Sequence, residues 1–122
     1  MGFSVELDLP RRLLKMSYTQ DVGMEEASRC VEKVRATMVD VPPGFRLLTD
    51  LTRLESMDTS CSIYMEQIMD ICDKQGVAMV VRIVTDSQKD IGFNIMSLFH
   101  YTRDIPIVIC STVDEAEKVL AD

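Results

Sequence analysis

Gly76-Val77-Ala78-Met79-Val80-Val81-Arg82-Ile83-Val84 is the stretch on which the fold turns. After the glycine the run is nearly continuous in apolar residues. That pattern predicts a central strand covered on both faces, as in a parallel sheet. Gly76 suits the residue that closes a preceding helix. Such a helix is expected from about Ser60 to Gln75, with Ile63, Ile68, Met69, Ile71 and Cys72 on its inner side. Before it, Phe45-Arg46-Leu47-Leu48-Thr49-Asp50-Leu51 reads as another strand. The Pro-Pro-Gly at 42–44 is the turn leading into that strand.

Further out, residues 22–40 carry helical spacing. Ala27, Cys30, Val31, Val34 and Met38 share one face, with Asp21 as the expected N-cap and Glu25 and Glu26 near the positive helix end. Phe3, Val5, Leu7 and Leu9 alternate with polar residues, and Leu13 to Tyr18 reads as a second strand. Joined only by Pro10-Arg11-Arg12, these two must form an antiparallel hairpin, because a parallel crossover needs a dozen residues or more. Beyond the central run, a helix is expected over Ser87 to His100 and a fifth strand over Ile105 to Cys110. Thr112-Val113-Asp114-Glu115 has the form of a capping box and opens a short helix through Leu120. The expected fold class is therefore α/β: a single mixed, mostly parallel five-stranded sheet with four helices, in the order β-β-α-β-α-β-α-β-α. The whole chain, residues 1–122, is expected to form one domain.

Composition narrows the function. The 122 residues hold 13 Lys+Arg against 20 Asp+Glu, a formal net charge of −7. The basic residues are dispersed, and the only adjacent pair, Arg11-Arg12, reads as a solvated hairpin feature. Nucleic acid is not an expected partner. No signal-like or spanning segment stands out, so the expected location is the cytoplasm. The four cysteines, at 30, 61, 72 and 110, and the single His100 lack zinc spacing. Buried, reduced thiols are expected instead.

Catalytic constellations are equally thin. A Ser-His-Asp arrangement would depend on His100 at a helix end. No strand-to-helix turn is glycine-rich in the manner of a phosphate-binding loop. Cys61 could have a lowered pKa at a helix start, but no base accompanies it. No enzyme activity, cofactor or metal is expected.

Polar residues concentrate at one position where α/β sheets place ligands, beyond the carboxyl end of a strand. Asp50 ends the third strand, and Met57-Asp58-Thr59-Ser60-Cys61-Ser62 opens the second helix. The hydroxyls and Asp58 can cap that helix. A phosphorylated serine there would gain from the helix dipole and be repelled by Asp50, Glu55 and Asp58, which would favour a change of partner.

Three segments resemble the STAS family, in particular its stand-alone SpoIIAA-like members. Leu48-Thr49-Asp50-Leu51 is similar to the family's strand ending in an acid. Met57-Asp58-Thr59-Ser60-Cys61 looks like its Asp-Ser-Ser-Gly segment, and Thr112 to Leu120, with Glu115-Ala116, is similar to its closing cap and helix. The resemblance implies an anti-sigma-factor-antagonist-like protein whose partner is an anti-sigma-factor kinase-like protein. It implies Ser60, with Thr59 beside it, as the phosphoacceptor. Asp50, Asp58, Cys61 and Ser62 are then the partner-binding residues. Cys61 stands where the family has glycine, and Ile63-Tyr64-Met65-Glu66 replaces its small-residue stretch; bulk at Cys61 and Tyr64 is expected to obstruct a kinase contact there.

A second reading starts from nine methionines and from Ile91 to Phe99, which is apolar on more than one helical face. Phe93, Met96 and Phe99 would then face an apolar small molecule or lipid, a membrane surface, or a second copy in a homodimer.

Overall fold

The computed structural model describes residues 2–57, 59–84, 101 and 104–121. Its elements are β1 (Phe3–Asp8), β2 (Leu13–Val22), α1 (Met24–Met38), β3 (Arg46–Met57), a 3-10 turn (Thr59–Cys61), α2 (Ser62–Gln75), β4 (Met79–Ile83), β5 (Ile107–Cys110) and α3 (Val113–Leu120). The strands form one five-stranded sheet in the order β1-β2-β3-β4-β5. β1 and β2 are the expected antiparallel hairpin, and the remaining pairs are parallel. Among the described residues there are three helices. The helix expected over Ser87 to His100, with Phe93, Met96 and Phe99, lies outside them.

Alternation along the strands sorts the core into two layers. Leu14, Met16, Tyr18, Leu47 and Val80 face α1 and α2, meeting Val31, Val34, Ile68 and Cys72. Leu13, Leu48, Val81 and Ile83 face the other way and pack with Ala116 and Leu120 of α3. β4 contributes to both layers, which is why its sequence lacks the polar alternation of a half-exposed strand.

Two boundaries differ from the sequence reading. β2 runs on to Val22 and β3 to Met57, pairing Gln20 with Leu54, Asp21 with Ser56 and Val22 with Met57. Asp21 is thus a strand residue. Gly23 holds the N-cap position of α1, in extended conformation and without a side-chain bond. The register shifts between Ser17 and Thr19 and between Gln20 and Asp21. Bulges of this kind break the two-residue period that marks a strand. They explain why buried Leu51 and Leu54 lie three apart and why the stretch after Leu51 reads as loop.

At the other end, the Pro-Pro-Gly turn docks on the end of α2. Gly76 takes φ 90°, ψ 42° there, and its carbonyl accepts the Gly44 N–H at 2.8 Å. A β-carbon on Gly76 would meet the Pro43 Cβ at 3.1 Å, so both the backbone and the space require glycine.

Candidate functional site

The parallel pairing of β2 with β3 fixes where the helices start. Val22 ends β2 beside Met57, which ends β3, so α1 and α2 begin side by side at the same end of the sheet. The 3-10 turn Thr59–Cys61 carries the chain from β3 into α2. Ser60 and Ser62 are exposed on this turn and the first turn of α2. Two large apolar side chains are exposed at the same end, Met24 at 48% on α1 and Ile63 at 53% on α2. Asp58 and the side chain of Thr59 lie outside the described residues.

Cys61 departs from its expected role. It holds the N-cap position of α2 in helical conformation (φ −74°, ψ −11°), and its own side chain makes no cap hydrogen bond. Its side chain is fully buried and its Sγ lies 3.8 Å from the Val22 carbonyl. Cys61 therefore belongs to the packing beneath the surface and offers a partner no side-chain contact. Of the bulk expected to block the acceptor's neighbourhood, Cys61 is buried in the core and Tyr64 is half-buried against it.

Asp50 is not brought to this end either. Its Oδ1 accepts the Thr52 N–H at 2.9 Å and the Thr52 hydroxyl at 2.7 Å. Seven further residues of β3 follow it, roughly 20 Å of strand. It lines a surface hollow of about 240 Å³ on the α3 side, together with Lys15, Ser17 and Val113. The repulsion expected between Asp50 and a phosphate on Ser60 is weak over such a distance in solvent.

Beneath the helix starts, the core contains a cluster of thiols and a phenol. The Tyr18 hydroxyl lies 3.5 Å from Cys30 Sγ, which joins β2 to α1. Burial pushes the Tyr18 hydroxyl well up in pKa, with Cys30, Cys61 and Cys72 adding in the same direction. Burial likewise raises Cys30, and it pushes Cys72 up to about 12. All four cysteines are buried and none forms a disulfide.

Arg82 is the residue that a sequence reading passes over. It is 2% exposed, on the α2 face of β4, and lines a small cavity with Thr49, Tyr101, Met16, Met65 and Met69. The signal for it was the lone charge inside the apolar run. Burial raises Tyr101, and the nearby Arg82 charge works against that rise. The cavity has room for about 30 Å³, the space of one water. Every buried side-chain nitrogen and oxygen among the described residues has a hydrogen-bond partner. No described helix is long and apolar enough to cross a membrane.

No protein-family model matches the chain, and no curated protein matches it in sequence. Solved structures match across nearly all of it. One is an uncharacterized protein from Shewanella loihica with a SpoIIAA-like fold, at TM-score 0.72 and 11% identity, covering 98% of this chain and 94% of that one. The fold is SpoIIAA-like. The unphosphorylated anti-sigma factor antagonist SpoIIAA matches at TM-score 0.65 and 14% identity, over 98% of this chain and 97% of that one. A chain from the Pseudomonas aeruginosa complex of the diguanylate cyclase SiaD with its activator SiaC matches at TM-score 0.53 and 19% identity, over 88% and 90%. In this SpoIIAA-like frame, the surface at the start of α2 is built from exposed hydroxyls, Met24 and Ile63 over a sealed core.

Proposed function

We propose that the protein is a non-enzymatic regulatory module of the cytoplasm that binds a protein partner through the start of α2, and that phosphorylation of Ser60 switches the binding. The observation that carries this reading is the exposed Ser60 on the turn into α2, at the same end of the sheet as the exposed apolar side chains Met24 and Ile63. A mixed apolar and hydroxyl surface of this kind suits a protein interface. The known neighbours of the fold support it by analogy: one is an anti-sigma factor antagonist, another comes from a cyclase–activator complex. The partner proposed is of the kind an anti-sigma-factor kinase exemplifies.

Phosphorylation would place about two negative charges at the positive end of α2. The helix would tolerate them, because its first N–H groups and its dipole favour an anion. A partner packed on Met24 and Ile63 would not, because it would have to desolvate the charge. The switch therefore acts on binding and leaves the fold intact.

A pull-down with wild type, Ser60→Ala and Ser60→Glu tests this. One partner retained by the first two and lost with the third is the expected result. Equal retention by all three, or loss with Ser60→Ala, would overturn the switch. The apolar-ligand reading draws on Phe93, Met96 and Phe99, outside the described residues, and the cavity under α2 is water-sized.

A further inference from the structure

The opposite end of the sheet holds a groove of about 400 Å³ with an unusual charge for an acidic chain. Arg11 and Arg12 of the β1–β2 turn, Arg46 at the start of β3 and the end of α3 at Leu120 and Ala121 line it. Arg46 is fixed by two neutral acceptors, the Leu120 carbonyl at 2.9 Å and the Arg11 carbonyl at 3.0 Å. Those contacts orient the guanidinium and leave its charge uncancelled. Arg11 pairs with Glu117 at 3.0 Å, and its N–H is 3.4 Å from Asp8 Oδ1. Arg12 has no side-chain partner among the described residues. Among the described residues, one of the three guanidiniums is thus paired with a carboxylate, Arg11 with Glu117, and Arg12 lines the groove unpaired.

Arg12 carries a second oddity. Its φ is +50°, in the left-handed region that a non-glycine residue enters only at a cost. A turn at this position would form more easily with glycine or asparagine. An unpaired side chain that lines a groove from a strained backbone is what a ligand contact would require.

We propose that this groove binds the phosphate group of a small phosphorylated molecule, with Arg12 as the principal contact and Arg11 and Arg46 as flanking cations. A dianionic phosphate matches the excess positive charge, and its oxygens accept paired N–H bonds from planar guanidiniums. The site is separate from the start of α2 and does not depend on the reading of Ser60.

The test is an NMR titration of the full chain with sodium pyrophosphate, at ionic strength held constant with sodium chloride. Amide shifts should concentrate at Arg11, Arg12, Gly44, Arg46 and Ala121. Arg12→Gly suits the left-handed backbone, removes only the side chain, and should weaken binding about tenfold or more, the usual weight of a charge-assisted hydrogen bond. Arg29→Ala on α1, where Arg29 meets Glu25, should leave binding unchanged. Pyrophosphate shifts absent from the groove would overturn the proposal. So would shifts that chloride alone reproduces, or affinity indifferent to Arg12→Gly.

Discussion

α2 and α3 each begin a few residues beyond a strand, in a stretch rich in hydroxyls, and they close their first turns in opposite ways. At α3 the Thr112 hydroxyl accepts the Glu115 N–H at 3.2 Å, and the Glu115 carboxylate reaches back to the Ser111 N–H at 3.3 Å. At α2 a buried thiol occupies the N-cap position and makes no cap hydrogen bond itself. The start of α3 is held by surface hydrogen bonds, whereas that of α2 is held by packing, with the buried Cys61 Sγ 3.8 Å from the Val22 carbonyl. A helix start anchored from beneath can leave its surface hydroxyls to other work. One built on its hydroxyls cannot change them without losing its cap.

The sharpest way to break that comparison is Cys61→Lys. A lysine at this fully buried position must either carry its charge into the core or push the turn outward. The expected cost is about 3–5 kcal/mol of unfolding free energy. Denaturant unfolding would measure it. A cost within about 0.5 kcal/mol, as for ordinary surface positions, would show that the α2 start is not core-anchored.

A second test titrates the same anchor. Tyr18, Cys30, Cys72 and Tyr101 are buried in the layer under α1 and α2, and burial raises each. Cys72 moves from an ordinary 9.0 to about 12. Between those values the folded thiol keeps its proton while the unfolded chain loses it, so stability falls as pH rises through that window. Each such group contributes up to about 1.4 kcal/mol per pH unit. Denaturant unfolding should show a loss of at least about 1 kcal/mol between about pH 8 and about pH 10. Unchanged stability would mean that water reaches these groups in the folded protein.

Much of this was legible from the sequence because its causes are local. The apolar run 77–84, the hairpin, the Pro-Pro-Gly turn and the Thr112 cap each follow from a periodicity or a side chain read in place. The long pairing of β2 with β3 was not legible, because its bulges disrupt the pattern and its stability comes from the partner strand. The direction of the Cys61 side chain was hidden for a related reason: nothing local tells a thiol at a helix start whether it faces solvent or core. The arginine groove joins Arg11 and Arg12 to Arg46 across 34 or more positions of sequence, so only the parallel register of β2 and β3 brings them together. Even Asp50, correctly placed on β3, is removed from the start of α2 by the strand's unexpected length.

The finest test sets the two helix starts against each other with the same small change. Thr112→Ala removes the hydroxyl that caps α3, leaving the Glu115 N–H to water, and should cost about 1 kcal/mol. Ser62→Ala removes an exposed hydroxyl from the first turn of α2, past the N-cap position, and alanine favours the helix. Its effect should stay within about 0.5 kcal/mol, the range of ordinary surface substitutions. Thermal and denaturant unfolding of both variants would read the difference directly. Equal costs would place a working cap at α2 as well, and a change of partner there would then carry a penalty in stability. A clear gap in the expected direction would mean that α2 keeps its hydroxyl surface at no cost to the fold, which a switch that acts on binding alone requires.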